Sequence, residues 1–502
     1  MKRWTGYCFV FALAGCSTTF SPQPCDVDAD CDSGSVCEMR ETVPVCVPAE
    51  DAPLLIGSSS AISGTNQALG TNMKFGIDLA FKEQNDAGGI RGRKLQLVFR
   101  DDAYDPDLAE AAARSLFDVH ATTDQPRCPS TATPAVAGQS PVSMTALVRG
   151  PNAALAMLGP VGTPTMVRAL PVTVETGSMY FGAFTGANTL LRDDKAGSCK
   201  SLIFNVRASY AQEAQAALEL FLKKGNNSYK DLVSFDQNDS FGQAGYDGLV
   251  NAYKNTIGNF PTGADATTPI FRARYTRNDD TSVPAQAAAT ETYLASILMA
   301  DSQTHVIGVF MTDTYGAAAT YIQAIRTWQY ANDSQQTQLN KANRLVIHFH
   351  NVSFVGPNTL SDRLVQANAA STLPAGKLFT DNVYVSQVVP NYENDSTEIV
   401  TGYNKLVADG GAAPNFTSLE GYVAARIFIA GLLNHQGPFL PDNLVSSFEN
   451  LPDLSLGLGA GAGFSKENHQ YLQSLWGTAI NADGSFRNLF FWSQGRPIQF
   501  FE

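Results

Sequence analysis

The sequence predicts an α/β protein built on doubly wound parallel sheets, and the segments that follow residue 53 carry that prediction. Leu54–Ile56 is an apolar run typical of a buried strand, and Met73–Phe81 repeats its apolar residues at helical spacing. Lys94–Arg100 then alternates apolar and polar side chains, as a further strand does. This order of strand, helix and strand indicates a domain whose ligands lie at the carboxyl ends of the strands.

Glycine and proline set the limits of these first elements. Gly88 and Gly89 are predicted to end the first helix, because glycine adopts the left-handed conformation at a helix C-terminus without steric cost. Asp105 and Pro106 are predicted to begin the second helix, since proline is favoured at the first helical position.

The same alternation continues along most of the chain. Further strands are predicted at Ala153–Leu158, Ser178–Phe181, Leu202–Val206, Asp231–Phe235, Val306–Phe310, Arg344–Phe349 and Asn382–Val385. Further helices are predicted at Pro164–Thr176, Tyr210–Lys224, Phe241–Tyr253, Ala317–Trp328 and Ser418–Asn434. These units suffice for two parallel sheets. Stretches with little periodicity are predicted as surface insertions at His120–Gly150, Arg277–Pro284 and Ala331–Ala342.

Residues 1–16 have the features of a bacterial lipoprotein signal peptide. Lys2 and Arg3 precede a short apolar stretch that small residues close. Its end, Leu13–Cys16, resembles the motif at which bacteria attach lipid to a cysteine. The sequence therefore predicts lipidation of Cys16 and an anchored protein on the periplasmic or extracytoplasmic face of the cell envelope. The alternative is an ordinary secretory signal with an incidental cysteine.

Residues 17–53 combine a short polar tether with a cysteine-rich segment that is too small to build a hydrophobic core. Its four cysteines predict two disulfides, and all three pairings are open. A zinc site is the less favoured alternative, because zinc ligands usually form closer cysteine pairs. A solvated acidic turn is favoured over a calcium site, because the glycine and glutamate of an EF-hand loop are lacking. The four cysteines are Cys25, Cys31, Cys37 and Cys46.

A further disulfide is predicted between Cys128 and Cys199. An exposed free thiol is a liability in an oxidising compartment, and these two cysteines flank a segment expected to carry part of a ligand site. Their separation in the fold does not follow from the sequence.

Charge and missing motifs exclude several classes of function. The net charge of −13 opposes binding to nucleic acids and to anionic lipid headgroups. The motifs G-x-S-x-G, H-E-x-x-H and G-x-x-x-x-G-K-[ST] are absent, so neither enzyme activity nor a cofactor is predicted. His348 and His350 share one face of a predicted strand, but they lack a third ligand at suitable spacing. A pair satisfied by neighbouring groups is favoured, and no metal is predicted.

Several segments in the same order resemble the type I periplasmic solute-binding proteins, in particular the branched-chain amino-acid (Leu/Ile/Val)-binding family of ABC transporters. They include GTNMKFGIDLAFKEQNDAGGIRGRKLQLVFRDDAYDP, AMLGPVGTPTMVRALPV, YFGAFTGANTLLR, DSFGQAGYDG and FTSLEGYVAARIF. The resemblance covers roughly Leu54 to Asn488 and implies two Rossmann-like lobes joined by three crossings. It places residues 54–201 and 390–456 in lobe I, and residues 202–389 and 457–502 in lobe II.

The first candidate ligand contacts follow two strands of lobe I. Residues 159–165 lie between a strand and a helix, where backbone N–H groups and the hydroxyls of Thr163 and Thr165 can bind an anion. The alternative is that both threonines only cap the helix. The resemblance implies that Thr163 binds a ligand carboxylate. It also implies that the Phe184–Gly186 loop, with Thr185 at its centre, contacts both ends of an amino-acid ligand.

Other candidate contacts come from both lobes. The resemblance places Phe241 where relatives stack an aromatic ring over the ligand, and Leu69 where relatives often line the cleft with an aromatic residue. Thr314 and Tyr315 follow a predicted strand and are expected to face the cleft. Amino-acid binders of the family carry a carboxylate near the position of Ser353, and no acid lies near it in this sequence. Because a buried ammonium without a counter-charge is costly, a carboxylate or a neutral, partly apolar solute becomes as plausible as an amino acid.

The sequence therefore predicts a lipid-anchored solute-binding protein that captures a small organic ligand between two closing lobes. Its partners, by resemblance, are an ABC permease and its ATPases. The alternative is a ligand-sensing or surface-interaction protein on the same fold. The cysteine-rich segment and the insertions favour that alternative, because a plain transport binder needs neither.

Overall fold

The computed structural model describes residues 23–40, 43–128, 146–187, 200–226, 228–332, 339–459 and 461–501. Cys16 and Cys199, for which lipidation and a disulfide are predicted, lie outside these ranges. Cys128 is disulfide-bonded, and its pairing with Cys199 stays a prediction.

The cysteine-rich segment forms a small module on one β-hairpin, whose antiparallel strands are Ser35–Arg40 (β1) and Val43–Pro48 (β2). Disulfides join Cys25 to Cys37 and Cys31 to Cys46, which selects one of the three open pairings. Among the described residues, the one grouping with metal-ligand spacing consists of Cys25, Cys31 and Cys46. Because these sulfur atoms are bonded in disulfides, the zinc alternative does not apply.

The first sheet has five parallel strands in the order β4-β3-β7-β8-β9. Its elements in chain order are β3 (Leu54–Ser60), α1 (Gln67–Asp86), β4 (Leu95–Asp101), α2 (Pro106–Leu116), β7 (Ala156–Leu158), α3 (Thr163–Glu175), β8 (Met179–Phe181) and β9 (Ile203–Phe204). A separate short pair, β5 (His120–Ala121) and β6 (Leu147–Val148), lies at the base of the first predicted insertion. The predicted helix limits are confirmed: α1 stops before Gly88, whose φ is 105°, and the Asp105 side chain caps α2.

The second sheet has eight strands in the order β11-β10-β12-β13-β14-β15-β16-β17. Its elements in chain order are α4 (Tyr210–Lys223), β10 (Leu232–Gln237), α5 (Ser240–Thr256), β11 (Phe271–Tyr275), α6 (Val283–Ala300), β12 (His305–Thr312), α7 (Tyr315–Tyr330), α8 (Lys341–Arg344), β13 (Leu345–Asn351), α9 (Pro357–Ala369) and β14 (Val383–Gln387). After helices α10 (Glu398–Asp409), α11 (Phe416–Asn434) and α12 (Pro441–Glu449), the sheet is completed by β15 (Ser474–Ile480), β16 (Phe486–Ser493) and β17 (Gln499–Phe500).

This second sheet departs from the predicted purely parallel form. The strands from β11 to β14 are parallel, but β14 to β17 pair antiparallel. The sequence patterns also missed β11 and α6, and part of the predicted Arg277–Pro284 insertion is the start of α6. Short connections join β15 to β16 and β16 to β17, which a chain of strand–helix units does not anticipate, while β14 and β15 are separated by α10, α11 and α12.

Helix α11 returns to the first sheet and packs against α1 along two glycines. A side chain at Gly76 would overlap the carbonyl oxygen of Ser418, and one at Gly421 would overlap that of Met73. Among the described helices, α11 alone is long and apolar enough to cross a membrane, and most of it is buried inside the fold. Its apolar composition is therefore explained by burial between other elements of the protein.

The chain passes between the two sheets three times, after β9, after β14 and before β15. Two of these crossings run side by side, because Asn205 donates its N–H to His469 O at 2.7 Å and accepts from Tyr471 N at 2.7 Å. β9 still pairs with β8, so the predicted lobe division at 201/202 precedes the last strand of the first sheet. The predicted architecture of two α/β lobes with three crossings is confirmed.

The close approach of α1 and α11 gives a test of the packing. Gly76→Ala is expected to lower the free energy of unfolding by about 1–3 kcal/mol, because its methyl group would overlap the α11 backbone. Gly402→Ala is the matched control in α10, where the nearest atom to a new methyl is Tyr422 Oη at 3.6 Å. The control is expected to gain up to about 1 kcal/mol from helix propensity. Denaturant unfolding measures both, and equal effects would contradict the proposed contact.

Candidate functional site

Loops that follow the carboxyl ends of both sheets meet at one cleft. The β7–β8 pairing continues beyond the strands, since Val161 and Phe184 form a parallel bridge and Phe184 N donates to Pro160 O at 2.8 Å. This continuation brings Thr163 and Thr185 together, with their hydroxyl oxygens 2.6 Å apart and both side chains fully buried. Two predicted ligand contacts from separate loops thus lie next to each other in the cleft.

The start of α3 fits closely against a neighbouring loop. Gly162 has a φ of 103°, and a side chain there would overlap the Tyr104 ring. Thr165 turns back onto its own helix, where its hydroxyl donates to Gly162 O at 2.9 Å. No side chain caps the first turn of α3, so the capping alternative for the two threonines is not what the structure has.

Five aromatic rings fill the centre of the cleft. The Phe354 ring lies 5.0 Å from that of Phe184, 4.7 Å from that of Phe241 and 6.0 Å from that of Tyr104, measured between centroids. The Tyr210 ring lies 5.3 Å from Phe241 and contacts Gly186. None of these five aromatic residues is more than 1% exposed to solvent. Burial raises the pKa of Tyr210 to about 12, so its hydroxyl stays protonated near neutral pH and can act as a donor.

Beside these rings lies a buried network of charges. Arg207, from the first crossing, pairs with Glu213 at 3.2 Å and with Glu420 at 3.4 Å. Ser353 donates its N–H to Glu213 at 2.6 Å and its hydroxyl at 2.9 Å, and Arg207 donates to the Ser353 hydroxyl. No acid lies near Ser353 in the sequence, but in the fold α4 supplies Glu213 from a distant part of the chain.

Burial and neighbouring charges shift the pKa values of Arg207 and Glu213 in opposite directions. Burial works against the charged form of Arg207, but the two carboxylates hold its pKa above the ordinary value. Burial raises the pKa of Glu213, while Arg207 and the hydrogen bonds from Ser353 oppose that rise. We assign both Arg207 and Glu213 as charged, because the two groups lie 3.2 Å apart and both are buried away from water. The Glu213 carboxylate is thus already paired.

Of the remaining predicted contacts, Tyr315 and Leu69 reach across to the other lobe, whereas Thr314 bonds within its own lobe. The Tyr315 hydroxyl donates to Thr65 O at 2.5 Å, and Leu69 lies against the Gly356 backbone. Thr314 caps no helix with its side chain, and its N–H donates to the Tyr275 hydroxyl at 3.1 Å. Asn278 adds a further contact across the cleft, since its side chain accepts from Asn66 at 2.8 Å.

Two buried acids at the strand ends were missed by the sequence patterns. Asp102 accepts from the Ser59 hydroxyl at 2.6 Å and from Tyr104 N at 3.0 Å, and burial raises its pKa to about 7. These contacts hold Ala103 and Tyr104 in the left-handed region, with φ values of 50° and 59°. Asp313 follows β12, is fully buried, and neither of its oxygens has a hydrogen-bond partner among the described residues.

The two strand histidines have the structural role that was favoured. His348 Nδ1 lies 3.0 Å from the Tyr384 hydroxyl, and His350 Nε2 lies 2.9 Å from the Ser386 hydroxyl. Burial lowers the pKa of His348 to about 4 and that of His350 to about 3, so both are neutral at pH 7. Neutral imidazoles bonded to strand hydroxyls stabilise the second sheet.

Open cavities lie away from the cleft. One groove of about 990 Å³ lies at the amino ends of β10, β11 and β12 and is lined by Tyr229, Asp231, Phe271, Tyr293 and His305, among others. A smaller cavity of about 520 Å³ lies between α11 and α12. The cleft itself is occupied by the protein's own side chains.

Known proteins resemble this chain in sequence over one segment and in fold over most of its length. Residues 53–146 match the family model described as periplasmic binding protein. A Leu/Ile/Val-binding protein homologue of Brucella abortus is 40% identical over 65 residues, and an amino acid binding protein of Pseudomonas aeruginosa is 39% identical over 67. Each alignment covers 13% of this chain and 18% of the relative's length.

Solved structures extend the likeness to the whole fold. A possible leucine/isoleucine/valine-binding protein from Rhodopirellula baltica is 26% identical, with a TM-score of 0.65 over 88% of this chain and 98% of that one. A branched-chain amino acid ABC transporter protein from Thermus thermophilus with bound valine is 12% identical, with a TM-score of 0.60 over 88% and 97%. The resemblance to the periplasmic solute-binding proteins is thereby confirmed, and the fold is their type I fold.

The isolated carboxyl group of Asp313 predicts a pH-dependent stability. Burial, with the nearby Asp280 and Asp236, raises its pKa well above the usual range. Its folded pKa exceeds its unfolded value, so its cost is absent below about pH 4 and grows as the pH rises. Asp313→Asn is expected to raise the free energy of unfolding by at least about 1 kcal/mol at pH 7 and far less at pH 4. Asp409→Asn, at an exposed position, is the control, and equal effects at both pH values would contradict the assignment.

Proposed function

We propose that this protein is an extracytoplasmic solute-binding protein that captures a small organic ligand between its two lobes for an ABC importer. The hydroxyl pair of Thr163 and Thr185, held at 2.6 Å where the loops of β7 and β8 meet, carries the proposal. It lies at the start of α3, where the first backbone N–H groups have no partner within the helix and so favour an anion. Neutral donors of this kind can bind a ligand carboxylate despite the net charge of −13.

The charge network narrows the ligand class. A ligand ammonium needs a free counter-charge, but the carboxylates of Glu213 and Glu420 both contact the Arg207 guanidinium, and Glu213 also accepts from Ser353. A carboxylate or a neutral, amide-like solute with an apolar portion therefore suits the site better than a standard amino acid. Structural neighbours support the general class, since they include a branched-chain amino acid ABC transporter protein of Thermus thermophilus with bound valine and a fatty acid ABC transporter substrate-binding protein of Thermomonospora curvata.

We propose binding without catalysis. The family matched by residues 53–146 is a substrate-binding family, and the buried groups of the cleft are paired in structural contacts. Contacts such as Tyr315 to Thr65 and Asn66 to Asn278 exist only when the lobes approach each other. A ligand that bridges the lobes would add to these contacts and so favour the closed state, which a permease could then recognise.

A thermal-shift screen over amino acids, organic acids and amides tests the site. A ligand at 100 times its Kd is expected to add about 2.7 kcal/mol of stability to the wild type. Thr163→Val and Thr185→Val are expected to abolish the shift, because each removes a hydroxyl from the pair without changing side-chain size.

The matched control is Thr173→Val in the same helix, whose hydroxyl bonds only to Ala169 O at 2.9 Å. It is expected to keep the shift. A shift that survives in both cleft variants would refute the proposed site. Leucine or valine as the best ligand would refute the argument from the paired Glu213.

The lipid anchor has its own test. Cells grown with radiolabelled palmitate are expected to label the wild-type protein and not Cys16→Ser, because lipid attachment needs the cysteine thiol. Cys8→Ser, within the apolar stretch, is the control and is expected to retain the label. Unlabelled wild-type protein released into the soluble envelope fraction would instead support the ordinary secretory signal.

A further inference from the structure

We propose that Phe354 is a built-in occupant of the ligand cleft, which a ligand must displace in order to bind. This inference rests on the proposed function and adds to it the ligand's apolar portion. The phenyl ring of Phe354 stands between Phe184 of the first lobe and Phe241 of the second, at 5.0 and 4.7 Å. No part of the side chain is exposed.

The position of this ring follows from a short turn. Residues 353–355 form one 3-10 turn between β13 and α9, at the carboxyl edge of the second sheet. Gly356 closes the turn with a φ of 79°, a conformation that glycine adopts without strain. A side chain at Gly356 would lie 2.9 Å from Leu69 of the first lobe, so the turn reaches fully across the cleft.

The same turn also satisfies the polar side of the cleft. Ser353 supplies an N–H and a hydroxyl to Glu213, and its hydroxyl accepts from Arg207. Apolar and polar partners are therefore both provided from within the chain. The central rings are packed against one another and the Arg207 guanidinium has its counter-charges, and both features stabilise the closed form without a ligand.

The displaced ring indicates what the ligand carries. A group that replaces it must match a benzyl group in size and apolarity, and must lie between Phe184 and Phe241. Its polar end would then bind to the Thr163–Thr185 hydroxyl pair, since Thr185 directly follows Phe184 in the same loop. We therefore assign the ligand to compact aromatic or branched aliphatic carboxylates.

Phenylacetate is the probe, because its benzyl group is that of the Phe354 side chain and it carries one carboxylate. Phe354→Ala is expected to bind it at least about tenfold more tightly than the wild type in calorimetry, since apparent affinity falls in proportion to the fraction of protein whose site is open. Benzylamine, with the same ring and a positive charge, is expected to show no such gain.

A matched control separates this effect from that of any new cavity. Phe428 is equally buried, with its ring 5.1 Å from Phe181 in the core of the first lobe, so Phe428→Ala creates a comparable void elsewhere. It is expected to show no gain for phenylacetate. Adding Thr163→Val and Thr185→Val to Phe354→Ala is expected to abolish the gain, because the carboxylate loses its donors.

The outcomes for the two proposals differ. If a screened solute binds the wild type through Thr163 and Thr185 but Phe354→Ala gains nothing for phenylacetate, the occupant role is wrong and the proposed function stands. If Phe354→Ala gains affinity while no solute binds the wild type, the occupant role stands and transport is refuted. Should the alanine variant fail to fold, Phe354→Leu takes its place, with a gain of at least about threefold expected and an unchanged affinity overturning the proposal.

Discussion

The buried guanidinium of Arg207 is the constraint on which the cleft depends. It lies on the first crossing between the sheets, pairs with Glu213 of α4 and Glu420 of α11, and donates to Ser353 of the second lobe. Because Arg207 is only 1% exposed, its charge is tolerated only with its carboxylate partners in place. The ion pairs therefore hold α4 and α11 to the first crossing. Removing the guanidinium would leave two buried carboxylates without a counter-charge, and breaking a buried ion pair in this way typically costs about 3–5 kcal/mol. Helix, crossing and cleft turn are therefore fixed together.

This arrangement gives Ser353 a structural role at the position where amino-acid binders of the family that this chain resembles carry an acid. An acid is present in space, but its charge is used within the protein to hold Arg207 and the 353–355 turn. The Glu213 carboxylate thus binds groups of the protein itself, the Arg207 guanidinium and Ser353. The paired charges and the adjacent Phe354 ring act in the same direction, because both make the cleft complete without an external cation. Besides this network, the cleft offers the cluster of aromatic rings and the neutral hydroxyls of Thr163 and Thr185.

Local signals in the sequence predicted what local chemistry determines. Asp105 caps α2 through its own side chain, and Thr163 and Thr185 meet because the β7–β8 pairing extends into their loops. The strand β11 was missed because Arg272 and Arg274 make it read as a polar loop, whereas both side chains pair with the buried Asp236 of β10. Glu213 was missed for the same reason: in sequence it is a polar residue on an amphipathic helix. Only the tertiary fold, which buries it against Arg207, gives it a role at the cleft.

The opposite end of the first lobe carries the disulfide module, and this placement bears on how an anchored protein can move. Arg93, 3% exposed, pairs with Glu38 of the module at 2.6 Å and stacks near the Phe439 ring. The module precedes β3 directly and so lies at its amino end, whereas the cleft lies at the carboxyl ends of the strands. The seven residues of β3 separate the two sites by roughly 20 Å. A lipid attached at Cys16 would therefore hold the first lobe from the side away from the cleft. The proposed anchor and the proposed ligand cleft would therefore use different ends of the first lobe.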